Sequence, residues 1–174
     1  MRHSILLALC LTAGAALASA GTITVSGDTS TSPFVWDRPT EGAPPPLISV
    51  FGTNVPYVSF GFQVSLAGDY TFEVVLPVFD SFLVLFQDPF DPLDPLTNAI
   101  VAVDDGPATA TLVAAVPYTL VVTGFFDTDS GPFDASISGP GDISTASSDV
   151  PEPTTGGVTL VGMALLVARR RGLL

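Results

Sequence analysis

Between residues 21 and 150 no stretch keeps a helical period with caps at its ends. Short runs rich in Val, Ile, Phe, Tyr and Thr are instead cut by Gly, Pro and Asp clusters. That punctuation limits the fold to packed short strands, because each run is too brief for a helix and ends in turn residues. Thr22 to Ser26 alternates with period two, and Gly27-Asp28 reads as the turn after it. Pro33 to Pro46 reads as a Pro-rich loop holding Trp36 and Arg38. Tyr57 to Leu66 and Tyr70 to Leu76 follow as strands, with Gly68-Asp69 as a tight hairpin turn between them. Ser81 to Phe86 is almost continuously apolar, the pattern of a strand buried on both faces. Ala99 to Val103, Thr109 to Val113, Tyr118 to Gly124 and Phe133 to Ser138 complete the set. About seven or eight strands at this spacing predict an all-β fold, a jelly-roll-like antiparallel β-sandwich. A faint echo links Leu66–Phe72 to Val113–Leu120: in both, a small-residue turn enters a Tyr-Thr strand. It predicts equivalent positions in two hairpins.

Charge narrows the chemistry. Sixteen of the 17 acidic residues fall in 21–150, but of the five Lys and Arg only Arg38 does, a formal charge of −15. The same region has no Lys, His or Cys. A thiol nucleophile, a histidine base and a Cys/His zinc site are therefore excluded there. Nucleic acid is excluded as a partner, since phosphates are neutralised by Lys and Arg. An acidic surface suits solubility outside the cell, and Arg38 is expected to pair with a neighbouring carboxylate.

Both ends read as address segments. Arg2 and His3, the apolar run Ile5 to Leu17, and Ala18-Ser19-Ala20 before Gly21 make residues 1–20 a signal peptide, a helix cut after Ala20. Residues 21–144 form the sandwich and 145–149 a short Ser/Thr/Ala linker. Residues 150–174 form a tail: Val150-Pro151-Glu152-Pro153, the apolar run Gly156 to Ala168, then Arg169-Arg170-Arg171. As a helix the 13-residue run reaches about 20 Å against a bilayer core of roughly 30 Å, so it spans marginally. The arginines stay cytoplasmic by the positive-inside rule, which puts the acidic sandwich outside. A weak, basic-capped span suits a transient hold on the inner membrane.

The order Val150-Pro151-Glu152-Pro153, apolar segment, Arg169-Arg170-Arg171 resembles the PEP-CTERM protein-sorting signal of exopolysaccharide-producing bacteria. The resemblance implies export by the secretion machinery and processing of the tail by an exosortase, a membrane cysteine protease-transpeptidase. The body resembles a second family, the bacterial pre-peptidase C-terminal β-sandwich, over about residues 57 to 141. The matching stretches are Ala67–Phe72, Phe79–Phe86, Val103–Gly106, Pro117–Val122 and Phe133–Pro140. Such domains accompany secreted proteases without being catalytic. This implies a sandwich and leaves its role open.

Three groups of residues are candidate sites. Asp104-Asp105-Gly106 reads either as a Ca²⁺ site, a hard ion with oxygen ligands, or as a turn in which Asp bonds its own backbone and Gly supplies positive φ. Asp-Pro-apolar recurs three times from Asp88 to Leu96. In a polyproline II helix Asp88, Asp91 and Asp94 share one face while Phe90, Leu93 and Leu96 pin the loop to the body. That loop binds calcium or a partner, or it protects an edge. Asp127, Asp129 and Asp134 invite the calcium reading with less support. Trp36 and Tyr57 are expected to anchor core or loop, with sugar stacking the alternative.

Together these features predict no enzyme and no required cofactor. They predict an exported protein of the cell surface or exopolysaccharide matrix; a calcium- or carbohydrate-dependent adhesion module is the alternative.

Overall fold

In the computed structural model, residues 20–75 and 77–145 are described. Ten strands follow in order: β1 (Gly21–Asp28), β2 (Val35–Trp36), β3 (Val55–Val64), β4 (Gly68–Val75), β5 (Ser81–Gln87), β6 (Ala99–Asp104), β7 (Ala108–Leu112), β8 (Tyr118–Gly124), β9 (Pro132–Gly139) and β10 (Ile143–Thr145). A single 3₁₀ turn, Thr29–Thr31, is capped by the Asp28 carboxylate. All pairings are antiparallel, in two sheets ordered β1-β9-β4-β7 and β10-β3-β8-β5-β6, with β2 added to β3. The all-β sandwich read from the sequence is what forms. The predicted flanking helices lie outside the described residues, and among those described no helix is long and apolar enough to cross a membrane.

The connections differ from the expectation in one respect. Apart from β2–β3 and β5–β6, every connection crosses from one sheet to the other, as in a jelly roll. Gly68-Asp69 is therefore no hairpin turn; these residues open β4, in the sheet opposite β3. Likewise Gly27-Asp28 ends β1, paired with Phe133 and Pro132. The sequence echo marks two sheet-to-sheet corners instead of two hairpins. At the first, the Tyr70 hydroxyl donates to the Leu66 carbonyl (3.0 Å) and accepts from Gly141 N–H (3.1 Å). At the second, the Tyr118 hydroxyl accepts from Val113 N–H (2.9 Å). A phenol is long enough to stay in the core by its ring and tie the corner by its tip. Gly139 makes room for the first ring: a Cβ there would lie 2.2 Å from Tyr70 Cδ1.

Tyr70→Phe is expected to lower unfolding stability by about 1–3 kcal/mol, because it leaves the buried Gly141 N–H unmet. Tyr118→Phe loses one bond and belongs at the low end of that range. Urea unfolding monitored by circular dichroism measures both.

The smaller sheet has one wet face. Along β1, β7 and β9 the Thr and Ser side chains point out while Ile23, Val25, Ala110, Leu112, Ala135 and Ile137 point in. The larger sheet is covered on both sides. Leu83, Leu85, Leu120 and Val122 join the core between the sheets, whereas Phe82, Val84, Phe86 and Val121 join a second core on the far face. The loops before β3 and before β6 roof that second core with Trp36 and Phe90. This explains the unbroken burial of β5 from Ser81 to Phe86 and of all β8. Two short strands escaped the sequence pattern: β2 sits inside the Pro-rich loop, and β10 includes Thr145, the first residue read as linker.

Candidate functional site

Strand register assembles the one cluster of three carboxylates among the described residues. Phe82 pairs with Asp104 across β5–β6, so Asp80, just before β5, lies beside Asp104 and Asp105, just where β6 ends. One carboxylate oxygen from each of the three lies within 4.8 Å of the other two. Asp105 has φ 39° and Gly106 φ 140°, so the turn reading of Asp104-Asp105-Gly106 also holds in the backbone. Asp104 Oδ1 is buried and has no hydrogen-bond partner. Burial pushes the Asp104 carboxyl above its ordinary range, and Asp80 and Asp105 push it further; Arg38 opposes them. Asp80 is raised too, by burial and then by Asp105 and Asp129.

Asp80 was absent from the sequence-based candidates. It is 24 residues from Asp104, at the open end of the β5–β6 pair, and only the register brings them together.

A carboxyl raised in the folded state favours folding when protonated. Its contribution to stability is therefore largest below the unfolded value, about 3.9, and is lost as pH rises through the raised range. Asp104→Asn is expected to be more stable than the parent at neutral pH, with the gap closing in acid below that unfolded value. Urea midpoints across pH test this.

Arg38 departs from expectation. It is 1% exposed, yet among the described residues no carboxylate lies within ion-pair distance. Its Nε and Nη2 both donate to the Phe125 carbonyl (3.0 and 2.8 Å), and Nη1 donates to the Pro39 carbonyl (3.0 Å). The guanidinium carbon lies 4.0 Å from the Phe82 ring centroid and 4.5 Å from that of Phe125. A planar, weakly hydrated cation suits such a site: it stacks on rings while its edge donates. Asp104 and Asp80 act on it through space.

The structure also separates Asp88, Asp91 and Asp94. The loop is two successive turns instead of a polyproline helix: Asp94 N–H donates to the Asp91 carbonyl (3.1 Å) and Thr97 N–H to that of Asp94 (3.2 Å). Each carboxylate has its own separate partner. Asp88 accepts from Thr119 Oγ1 (2.5 Å), Asp91 from Leu93 N–H (2.9 Å) and Asp94 from Thr97 Oγ1 (2.8 Å). Turns win at Asp91 and Asp94 because a short carboxylate finds a donor two or three residues on, Leu93 N–H and the Thr97 hydroxyl, which an extended run does not offer. Calcium ligation by these three together is thereby set aside. Phe90 does pin the loop, packing on Phe86, Trp36 and Tyr57, whereas Leu93 points into solvent. Asp129 accepts from Phe126 N–H, and Asp134 from Ser26 Oγ on β1, so these two do not converge either.

Trp36 and Tyr57 are core residues. Trp36 packs against Tyr57, Phe86 and Phe90, and its Nε1 donates to Thr123 Oγ1 (3.2 Å). Their faces are taken, which removes the sugar-stacking reading for them. Of the cleavage residues, Gly21 is the first residue of β1 and Ala20 is exposed before it. Ala18, the Val150–Pro153 motif and Arg169–Arg171 lie outside the described residues.

No family model and no curated protein matches the chain. Among solved structures it is similar to Aeromonas hydrophila PliG, a periplasmic lysozyme inhibitor of g-type lysozyme, at 12% identity. The match covers 73% of this chain and 88% of that one, with a TM-score of 0.43.

Proposed function

We propose that this is an exported, non-enzymatic β-sandwich protein, carried to the cell surface or an exopolysaccharide matrix by its C-terminal sorting tail. The observation that carries the reading is where the sandwich starts and stops. Its first strand begins at Gly21, the residue after the expected signal cleavage, and its last ends at Thr145, five residues before Val150. All ten described strands thus lie between the two segments that the sequence reads as addresses. Within 21–150 the sequence has no Lys, His or Cys to act as base or nucleophile, which agrees with an addressed building block rather than a catalyst. An exosortase is the processing partner, and the inner membrane is occupied transiently.

Mass spectrometry of the native protein from surface and medium fractions tests this. The expected form starts at Gly21 and ends near Pro151-Glu152-Pro153, with or without an added glycan mass. An intact C-terminus through Leu174 in the membrane fraction overturns the sorting reading.

A second reading, calcium-dependent stabilisation at Asp80, Asp104 and Asp105, is favoured by the orphaned Asp104 oxygen. One Ca²⁺ with ligands at about 2.3–2.6 Å holds oxygens up to about 5 Å apart, which the cluster meets. Under this reading millimolar CaCl₂ raises the melting temperature more than MgCl₂ does, and Asp80→Asn abolishes the difference. Equal response to both salts discards it.

A further inference from the structure

Strand register sets a carboxylate beside a carboxamide where the covering loops meet. Trp36 pairs with Val55 across β2–β3, so Asp37, just after β2, lies opposite Asn54, just before β3. Asp37 Oδ1 accepts from Asn54 N–H (2.9 Å). Asn54 sits in the left-handed region, φ 54°, which asparagine tolerates. A carboxylate has about four acceptor sites, so one N–H bond leaves Asp37 with capacity, and the Asn54 side chain both donates and accepts.

These two residues line a groove of about 290 Å³ between the 35–54 and 88–98 loops. Its other walls are aliphatic: Val35 and Ile48 on one side, Pro92, Leu93 and Pro95 on the other. A bridge between Pro39 and Ile48 folds the first wall back into place. Phe90, packed on Trp36 with ring centroids 5.7 Å apart, holds the second. Trp36 lies buried at the floor, while the rim is open: Val35 is 52% and Leu93 93% exposed. Water therefore covers apolar side chains on both sides of a polar pair, on loops anchored by the second core.

We propose that this groove binds one unit of a neutral saccharide. A sugar ring has an apolar C–H face and a rim of hydroxyls that each donate and accept, which matches aliphatic walls around a carboxylate and a carboxamide. The volume lies just under the roughly 300–1,000 Å³ of small-molecule sites, so it suits a single ring. The faces of Trp36 are already packed, so the apolar contact comes from the aliphatic walls and not from stacking. Charge narrows the class further. Asp37 lines the groove, Asp91 and Asp94 are exposed on the loop that carries Leu93, and the one arginine of 21–150 is buried, so an anion meets only repulsion. An ammonium or guanidinium pairs with Asp37 but offers no acceptor to the Asn54 amide, whereas a hydroxyl serves both. The binding is read from the groove; only the source of the saccharide, a surface or matrix polysaccharide, rests on the sorting reading.

The chain's single tryptophan lies in the groove, so its fluorescence reports occupancy. The full chain, in a detergent without sugar groups, is titrated with neutral tetrasaccharides of glucose, galactose, mannose and xylose, with an oligouronate and with tetralysine. At least one neutral tetrasaccharide is expected to change the Trp36 emission saturably and to shift the NMR amide signals of Asp37, Asn54 and Leu93; the oligouronate should do neither. Asp37→Asn should weaken that binding about tenfold, the loss of a hydrogen bond to a charged group. It keeps an oxygen to accept from Asn54 N–H, so the loop stays tied. Leu93→Ser should weaken binding several-fold, and Val113→Ser, exposed at the β7–β8 corner, should leave it unchanged. Saturation by tetralysine without a response to any neutral saccharide would mark a cation site and overturn the proposal. So would silence from all the sugars, or a response that both Asp37→Asn and Leu93→Ser leave intact. A C-terminus intact through Leu174 sinks the sorting reading alone and leaves this titration as it is.

Discussion

Arg38→Ala is expected to lower the stability of the sandwich by about 3–5 kcal/mol, a large share of what a domain of this size has. The guanidinium is enclosed between the rings of Phe82 and Phe125, and its donors satisfy the carbonyls of Phe125 and Pro39. Removing it leaves a cavity and takes donors from two carbonyls, at roughly 1–3 kcal/mol for each one left unmet. The main chain of the same residue ties the loop: Arg38 N–H donates to the Gly52 carbonyl and its own carbonyl accepts from Ser49 N–H. Gly52 packs so closely on the side chain that a Cβ there would lie 2.2 Å from Arg38 Cγ. Arg38→Lys is expected to keep a deficit of at least about 2 kcal/mol, because an ammonium cannot fork on one carbonyl and stack on two rings together. Urea or thermal unfolding measures both variants. A loss under about 1 kcal/mol for Arg38→Ala would show that the clamp contributes little.

Phe86→Ala carries a comparable expected loss, about 3–5 kcal/mol, with a different signature. Phe86 is fully buried on the far face of the larger sheet, with its ring centroid 4.8 Å from Phe90 and 6.1 Å from Trp36. Ordering a residue costs roughly 1–2 kcal/mol of backbone entropy, so one buried ring cannot hold a whole loop. The 88–98 loop is held by Phe90 together with the Asp88–Thr119 and Asn98–Pro89 bonds, and the 35–54 loop by Trp36 together with Arg38. Removing Phe86 takes the shared floor from both. Limited proteolysis should then cut both loops much faster. Phe72→Ala, in the core between the sheets, should destabilise similarly without selecting those loops. Equal cleavage patterns in the two variants would refute a separate second core.

The eight long strands were legible in the sequence to within a few residues because their signal is local. A β-branched or aromatic run between Gly, Pro and Asp clusters reads the same way whatever it pairs with. The doubly buried Ser81–Phe86 was legible for the same reason, since alternation disappears when both faces are covered. β8 is covered on both faces too, but Thr119 and Thr123 break its apolar run and concealed it. Those threonines are accommodated by bonds to Asp88 and to the Pro56 carbonyl, and neither partner is near in sequence. The two-residue β2 was too short to carry a period, and it lies in a Pro-rich stretch that argues for a loop.

Of the candidate site, Asp104 and Asp105 were legible because they are adjacent, and Asp80 was not. The Asp88, Asp91 and Asp94 repeat suggested one shared face. Turn formation at Asp91 and Asp94, a choice between two local conformations, and a bond from Thr119 of β8 to Asp88 gave each a separate task. By itself, then, the sequence determined the all-β class, the strand positions and the absence of thiol, imidazole and ammonium groups from 21–150, all of which depend on residue type and local period. Only the tertiary structure decided that Gly68-Asp69 opens a strand in the other sheet, that Arg38 clamps carbonyls between two rings, and that Asp80 joins Asp104 and Asp105. Each of those depends on register between strands far apart in the chain, and register is set by how two sheets and their covering loops share one buried volume.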